Sequence, residues 1–122
     1  MNIIELSVDI VDGEFLILNN NLPVGNVATT GIFRFEIINL DKNNKLALQF
    51  TGTHAVINYI TMFDMGKEKI KYMGLFQESN GNTYQSHECN TDGVWTLEYN
   101  YPVFAWLHDV LDMGWLVDAD KL

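Results

Sequence analysis

The clearest secondary-structure pattern in this chain lies in residues 93–122, which read GVWTLEYNYPVFAWLHDVLDMGWLVDADKL. At the start of this segment, Trp95, Leu97 and Tyr99 alternate with more polar residues, and alternation with a period of two predicts a half-buried β-strand. A strand with one apolar face must bury that face against another layer of structure. We therefore expect this strand to lie within a sheet and to face the core.

An amphipathic helix is predicted to follow, from about residue 101 to residue 113. Asn100 can cap its first turn, Pro102 suits that turn, and Gly114 is a natural stop. Apolar side chains recur at helical spacing and form one stripe, made of Val103, Phe104, Leu107, Val110 and Leu111. The opposite side carries Ala105, His108, Asp109 and Asp112. We expect the apolar stripe to lie across the sheet.

Length and composition indicate one globular domain spanning residues 1–122. Apolar residues make up 48% of the chain and charged residues 19%, which is typical of a folded protein. No apolar run reaches the roughly 18 residues that a membrane span needs, and the first residues do not resemble a signal peptide. The single cysteine, Cys89, excludes an internal disulfide and a multi-cysteine zinc site. These features predict a cytoplasmic protein without a membrane association.

The formal net charge is -9, and the charges are unevenly distributed along the chain. Residues 1–33 and residues 72–120 contain acids but no Lys or Arg, and six of the seven basic residues lie in residues 34–71. Binding to a phosphate backbone requires clustered Lys and Arg, so direct nucleic-acid binding is disfavoured. A basic protein partner is compatible with this charge pattern.

Three hairpins are predicted from turn residues between apolar runs. The Asp-Gly pair at residues 12–13 predicts the first, and the Ser-Asn-Gly-Asn turn at residues 79–82 predicts another. Between them, residues 32–40 and 46–51 both alternate and are predicted to pair around the turn at 41–44. The predicted fold class is α+β, with an antiparallel, hairpin-rich sheet that could curl into a partial barrel, covered by the C-terminal helix.

Residues 53–65 carry conflicting signals. Polar residues three or four positions apart favour a helix with one wet stripe that ends at Gly66; these are His54, Asn58, Thr61 and Asp64. The β-branched residues favour a strand instead; these are Val56, Ile57, Ile60 and Thr61. We favour a central helix here and keep a strand as the alternative.

The reactive residue types do not form a recognisable catalytic set. His87 and Cys89 would share one face of a strand, which allows a Cys–His nucleophilic pair, although a half-buried thiol at a strand end is the simpler interpretation. His108 and Asp112, four apart on the helix, could act as base and orienting acid but are more typical of a surface ion pair. The histidine spacing matches no metal motif, and no phosphate-binding glycine loop is present. We predict no catalytic residues, metal site or cofactor.

These observations lead to two functional hypotheses. The first is a non-catalytic acidic protein that neutralises or inhibits a basic protein partner, in the manner of an immunity or anti-defence protein. Its predicted partner-binding residues are Trp106, His108, Asp109, Asp112, Trp115, Asp118 and Asp120. The alternative is a small-molecule-binding β-domain with an apolar pocket between sheet and helix. That pocket would be lined by Phe33, Phe35, Tyr72, Phe76 and Trp95.

Overall fold

The computed structural model describes residues 2–110, which form a mostly β structure with one α-helix. The strands are β1 (Ile3–Asn19), β2 (Leu22–Val27), β3 (Gly31–Glu36), β4 (Asn43–Met62), β5 (Leu75–Glu78), β6 (Thr83–Tyr84), β7 (Glu88–Cys89) and β8 (Gly93–Asn100). A single 3₁₀ turn spans Ile70–Tyr72, and the helix α1 spans Val103–Val110. The predicted antiparallel sheet and C-terminal helix are confirmed, but the α content is smaller than an α+β fold implies.

The long strands β1 and β4 form the centre of the sheet. They pair with each other over nearly their whole length, and the strand order is β2-β1-β4-β8-β5-β6. Strand β3 pairs with the first half of β1, and β7 pairs with the second half of β4. Each of these long strands therefore has different neighbours along its two halves.

The two halves meet at a bend where Gly13 pairs with Gly52. Both glycines have positive φ, and a Cβ on Gly52 would lie 2.4 Å from the carbonyl oxygen of Asp12. The register also shifts here, because the pairing skips Val11 in β1 and Thr53 in β4. Glycines and bulges at one point allow a paired ribbon to bend sharply.

The bend folds the sheet over on itself, so that the two halves face each other. The Phe35 ring of β3 packs so closely on Gly25 of β2 that a Cβ there would lie 2.1 Å from it. Farther along, the rings of Phe63 and Tyr101 lie 6.0 Å apart, although Phe63 follows β4 and Tyr101 follows β8. The core lies between these two layers.

The strand β8 confirms the clearest sequence pattern. Trp95, Leu97 and Tyr99 are all buried. Helix α1 extends the same core, because the ring of Trp106 lies 6.1 Å from the ring of Tyr99. The predicted strand is thus held on its apolar face by both the opposite layer and the helix.

Two of the three predicted hairpins are wrong. Strand β1 continues through residues 12–13, because Gly13 serves as a bend opposite Gly52 rather than as a turn. Strands β3 and β4 both pair with β1, each along one of its two edges, so they do not form the predicted second hairpin. The third is confirmed, since β5 and β6 pair around residues 79–82 and Gly81 has φ +97°.

The helix predicted for residues 53–65 is wrong, and most of that segment belongs to β4. Tyr59 pairs with Ser7 and Ile57 pairs with Val8, which leaves Asn58 as an extra residue in the strand. This β-bulge shifts the inward-facing positions by one residue. Polar residues therefore recur at spacings of three and four along a strand, which imitates a helical period.

The helix α1 is oriented differently from the prediction. It begins at Val103 rather than at residue 101, and its buried residues include Trp106 and His108. Only 9% of the surface of His108 is exposed, whereas 49% of the surface of Val110 is exposed. The prediction placed Val110 on the inward face and His108 on the outward face, so the structure reverses these two positions. The inward face is centred on Val103, Trp106 and Leu107 because Trp106 packs on β8. The expectations for Leu111, Asp112, Gly114, Trp115, Asp118 and Asp120 lie outside the described residues.

Within residues 2–110, no helix has the length and apolar character that crossing a membrane requires.

Candidate functional site

Two chain segments meet around a surface groove of about 390 Å³ on the layer that contains the second half of β4. We call it the tyrosine–lysine groove, and it is lined by Asn58, Tyr59, Lys67, Glu68, Lys71 and Tyr72. Strand β4 supplies the first two of these residues, and the loop after β4 supplies the others.

The β-bulge in β4 gives this groove two consecutive side chains. In a regular strand, neighbouring residues point to opposite faces of the sheet. Here Asn58 is the extra residue, and both Asn58 and Tyr59 are half-buried and line the groove. Bulges commonly redirect side chains in this way beside binding sites.

The Tyr59 side chain is held in place by a charged pair on the same face. Its hydroxyl donates a hydrogen bond of 2.7 Å to Oε2 of Glu5, and Oε1 of Glu5 lies 2.9 Å from Nη1 of Arg34. The hydrogen bond to the Glu5 carboxylate, together with partial burial, raises the pKa of Tyr59. The ring is therefore fixed with its hydroxyl protonated at neutral pH.

The loop that carries the lysines is anchored by Ile70, which is fully buried. Gly66 has φ +83°, and a Cβ at that position would lie 2.3 Å from Cδ1 of Ile70. Both features make glycine the residue that fits this tight turn. Because Ile70 points into the core, Lys67 and Lys71 flank it at the surface and line the groove.

Each lysine ammonium group lies over a tyrosine ring of the groove. The Nζ atom of Lys67 is 4.6 Å from the centroid of the Tyr59 ring, and that of Lys71 is 4.9 Å from the centroid of the Tyr72 ring. Exposed cation–π contacts of this kind contribute about 0.5–1 kcal/mol. Among the residues that the structure describes, no carboxylate lies within 4 Å of either ammonium group.

A second groove of about 260 Å³ lies on the other side of Tyr72 and is lined by Tyr72, Gln85, Ser86 and His87. The carbonyl of Tyr72 accepts a hydrogen bond from the Gln85 amide, and the ring of Tyr72 meets the ring of His87 edge to face at 5.2 Å. The amide of Ile57 donates to the His87 carbonyl at 2.8 Å, which holds this segment against β4. Tyr72, half of whose surface is exposed, is thus a ridge between two grooves.

Cys89 does not have the environment of a nucleophile. Its side chain is fully buried in β7, and burial raises the pKa of the thiol to about 12. The thiol is therefore protonated at neutral pH. The neighbouring His87 contacts Tyr72 in the second groove, which fits the structural interpretation of this pair better than the catalytic one.

The three predicted partner-binding residues that the structure describes, Trp106, His108 and Asp109, line neither groove. Trp106 and His108 are buried, with 8% and 9% of their surfaces exposed, so their side chains pack in the core. Asp109 is exposed on α1. The other residues predicted for that surface, Asp112, Trp115, Asp118 and Asp120, lie beyond the part of the chain that is described.

The residues predicted to line an apolar pocket are also distributed differently. Phe76 and Trp95 are completely buried, and Phe33 and Phe35 are partly buried against the same core. Tyr72 does not face this interior, because it forms the exposed ridge described above. These residues therefore do not act together as one pocket lining.

The tyrosine–lysine groove was not predicted from the sequence, although the sequence contains one signal of it. Residues 67–72 read KEKIKY, which places three lysines within five residues of a chain with a net charge of -9. The role of Tyr59 had no such local signal. Its place in the groove depends on the bulge at Asn58, which is visible only in the pairing of β4 with β1.

A third groove, of about 340 Å³, is lined by four asparagines among other residues, and it adjoins a network of hydrogen-bonded asparagine side chains. The Asn20 amide donates to Oδ1 of Asn44 at 2.9 Å, and the Asn19 amide donates to Oδ1 of Asn39 at 3.1 Å. Oδ1 of Asn19 also accepts the hydroxyl of Tyr99 at 2.7 Å. These bonds close the end of the sheet, so a structural role accounts for this cluster.

The side chains of residues 2–110 offer no group of three or more His, Cys, Asp or Glu residues that could hold a metal ion.

The chain was compared with known proteins. No family model matches it, and no curated protein matches its sequence. Two solved structures are similar in fold. One is vCBM60 in complex with galactobiose, with a TM-score of 0.60 and 9% sequence identity over 78% of this chain and 96% of that chain. The other is the selenomethionine form of vCBM60, with a TM-score of 0.58 and 13% sequence identity over 79% of this chain and 89% of that chain. That structure is described in connection with two families of calcium-dependent carbohydrate-binding modules. At these identities the likeness shows a shared fold and nothing more.

Proposed function

We propose that this protein is a non-catalytic binding domain that binds a saccharide along the tyrosine–lysine groove and the adjoining groove beside His87. The observation that carries this proposal is the exposed ring of Tyr72, which stands between two surface grooves lined by polar side chains. The similarity of the fold to structures described as carbohydrate-binding modules supports it as an analogy.

The side chains of the two grooves suit the chemistry of a sugar ring. A sugar presents apolar C–H groups on its faces and hydroxyl groups around its edge. Tyrosine offers an apolar ring with a polar tip, and half of the Tyr72 surface is exposed. The amides of Asn58 and Gln85 can both donate and accept hydrogen bonds, whereas the hydroxyl of Ser86 already donates to the carbonyl and accepts from the amide of Glu88. An aromatic surface flanked by a few polar groups is the usual composition of a small-ligand site.

The arrangement of the grooves favours a short chain of sugars over a single sugar. The two grooves measure about 390 and 260 Å³ and share Tyr72 as a common wall. A linear oligosaccharide could contact both grooves while one of its rings packs on Tyr72. Extended contact of this kind compensates for the weak binding of each sugar unit.

The binding that we propose uses the side chains of the grooves and no calcium ion. One of the two similar structures is described in connection with calcium-dependent modules. Calcium is usually held by several oxygen ligands, with carboxylates prominent among them. The described residues contain no group of three acids that could form such a site. Binding should therefore be unchanged when a chelator removes divalent cations.

The experiment is a screen of immobilised oligosaccharides followed by titration calorimetry with the Tyr72→Ala variant. Loss of an aromatic contact at the centre of a binding site should weaken binding about tenfold. Tyr101→Ala is the matched control, because Tyr101 is also about half exposed but lines neither groove. Retention of no saccharide, or equal weakening by both variants, would show that the proposal is wrong.

A basic protein partner is the second candidate function, because acids gather at the bend of the sheet. The Asp12 carboxylate accepts a hydrogen bond from the Thr53 hydroxyl, and the Asp92 carboxylate accepts one from the backbone amide of Gly52. A groove of about 450 Å³ at this end is lined by both Glu78 and Asp92. Carboxylates around a groove can attract a cationic side chain and speed association.

This second candidate predicts salt-dependent binding at the bend rather than on α1. Glu14 and Glu88 are exposed acids near it, so the double variant Glu14→Gln/Glu88→Gln should slow association with a basic partner captured from the native host. Glu36→Gln serves as the control, because Glu36 lies at the far end of β3. Association that is insensitive to both salt and the double variant would contradict this function.

A further inference from the structure

We infer that the saccharide bound in the tyrosine–lysine groove is acidic, with a uronic acid carboxylate placed against the ammonium groups of Lys67 and Lys71. This inference rests on the proposed function and adds the charge of the ligand to it.

The first argument is the local concentration of positive charge. Residues 67–71 contain three of the seven basic residues of a chain whose net charge is -9. Two of these lysines line the groove, and its one lining acid is Glu68. A cationic patch on an acidic protein indicates electrostatic complementarity to an anionic ligand.

These two cations also lack a carboxylate partner within the described protein. Arg34, which lies on the same layer, is engaged by Glu5 at 2.9 Å and by Asp64 at 3.9 Å. By contrast, the part of the chain between residues 2 and 110 places no carboxylate within 4 Å of Lys67 or Lys71. A ligand carboxylate would supply the missing counter-charge.

The third argument is that the ammonium groups are already positioned. Each lies within 5 Å of the centre of a tyrosine ring, so the flexible lysine side chains are partly ordered before a ligand arrives. Ordering a long side chain on binding costs conformational entropy, and preorganisation reduces that cost. The tyrosine rings thus hold the cations beside the surface on which a sugar would pack.

The acidic remainder of the protein makes the site selective rather than generally attractive to polyanions. Exposed charges farther apart than about 8–10 Å are largely screened at physiological salt. Because this screening makes their effect local, the acids at the bend repel a polyanion from that part of the surface. An acidic ligand must also fit the groove to bind.

The test is titration calorimetry with uronate oligosaccharides, each compared with its carboxyl-reduced counterpart of identical linkage. The acidic form should bind more tightly than the reduced form, and added salt should weaken only the acidic form. Exposed ion pairs are worth up to about 1 kcal/mol, so each of the substitutions Lys67→Gln and Lys71→Gln should weaken acidic binding about fivefold. Binding of the reduced form should weaken less than binding of the acidic form in both variants.

The double variant Lys42→Gln/Lys45→Gln is the matched control. It is compared with the double variant Lys67→Gln/Lys71→Gln, because it removes the same two charges from exposed lysines that line neither groove beside Tyr72. Equal weakening by this control would mean that only the net charge matters, and the inference would be overturned.

The outcomes separate this inference from the proposed function. Equal binding of acidic and reduced forms, with both sensitive to Tyr72→Ala, would overturn the inference and leave the proposed function standing. Equal losses for both forms in the lysine variants would mean that the lysines only position the tyrosine rings, which would overturn the inference. Failure of every saccharide to bind would overturn both.

Discussion

Deletion of Asn58 provides a sharp test of how β4 builds the groove. Removal of one residue from a regular strand moves every side chain beyond it to the other face. Asn58 is different because it is the extra residue between two pairs, Ser7 with Tyr59 and Val8 with Ile57. Without it, these two pairs become consecutive and the strand becomes regular.

The inward-facing residues should then keep their places. Ile57 and Ile60 are both completely buried, and Tyr59 faces outwards between them. Once Asn58 is absent, alternation with a period of two places the three residues in, out and in, as they already are. The deletion removes a half-buried amide and a local bend, so we expect a loss of less than about 2 kcal/mol in the free energy of unfolding.

Deletion of Ala47 is the matched control within the same strand. Ala47 pairs without irregularity with Leu18 on one side and Thr96 on the other. Its deletion would turn at least two fully buried residues outwards, either Leu48 with Phe50 or Leu46 with its neighbours. Burial of one such side chain is worth about 1.5–3 kcal/mol, so the loss is about 3–6 kcal/mol. That is comparable with the whole stability of a small domain.

Urea unfolding monitored by tryptophan fluorescence measures both losses, since Trp95 is completely buried. The variant without Asn58 should unfold in one transition with an unchanged slope, whereas the variant without Ala47 should be largely unfolded before urea is added. Equal destabilisation by the two deletions would refute the assignment of the bulge. A folded variant without Asn58 should also bind saccharide more weakly, because it has lost one polar group of the groove.

Four further predictions concern the core and its titrating groups. A Cβ in Gly74→Ala would lie 2.1 Å from Cε2 of the Trp95 ring, so this variant should lose about 1–3 kcal/mol in the free energy of unfolding. In a double-mutant cycle, the costs of Gly74→Ala and Trp95→Phe should not add, because the two residues are in contact. Additive costs would contradict that contact. Tyr99→Phe removes the buried hydrogen bond to Oδ1 of Asn19 and should cost about 1–2 kcal/mol in urea, whereas an unchanged midpoint would count against that bond. Burial raises the pKa of the Cys89 thiol to about 12, so iodoacetamide at about pH 8 should label it slowly in the folded protein and quickly in urea, and fast labelling of the folded form would contradict its burial. Burial likewise raises the pKa of Tyr99 from 10.0 to about 12, and the ordinary pKa from which that of Cys89 is raised is 9.0. Both groups therefore add stability to the folded protein that is complete below about pH 9 and is lost as the pH approaches 12. A series of urea midpoints measured across this pH range would show the loss, and a flat profile would refute it.

The elements that could be predicted from sequence are those whose signals are local. The alternation of Trp95, Leu97 and Tyr99 specified a strand because each side chain faces the same layer throughout β8. The turn at residues 79–82 was also predictable, since Gly81 permits the positive φ that the hairpin requires.

The candidate site was not predictable, because its residues come from segments that are separate in sequence. The lysines of residues 67–71 were visible as a cluster, but their neighbours were not. Tyr59 and His87 join the same surface only because β4 pairs with β1 and because Ile57 bonds to the His87 carbonyl. The predicted partner-binding surface relied on a helix whose inward face is set by its packing on Tyr99.

By itself, the sequence determined which residues are apolar, where glycines permit unusual backbone and how charge is spread along the chain. It could not determine whether the Asp-Gly pair at residues 12–13 makes a turn or a bend, because that depends on Gly52, about forty residues later, as its partner. The bulge at Asn58 also depends on a distant partner, because a residue is extra only by comparison with the strand that pairs with it. Tertiary structure therefore decided the two-layered fold and the groove, because both depend on strand register, which is a relation between distant segments.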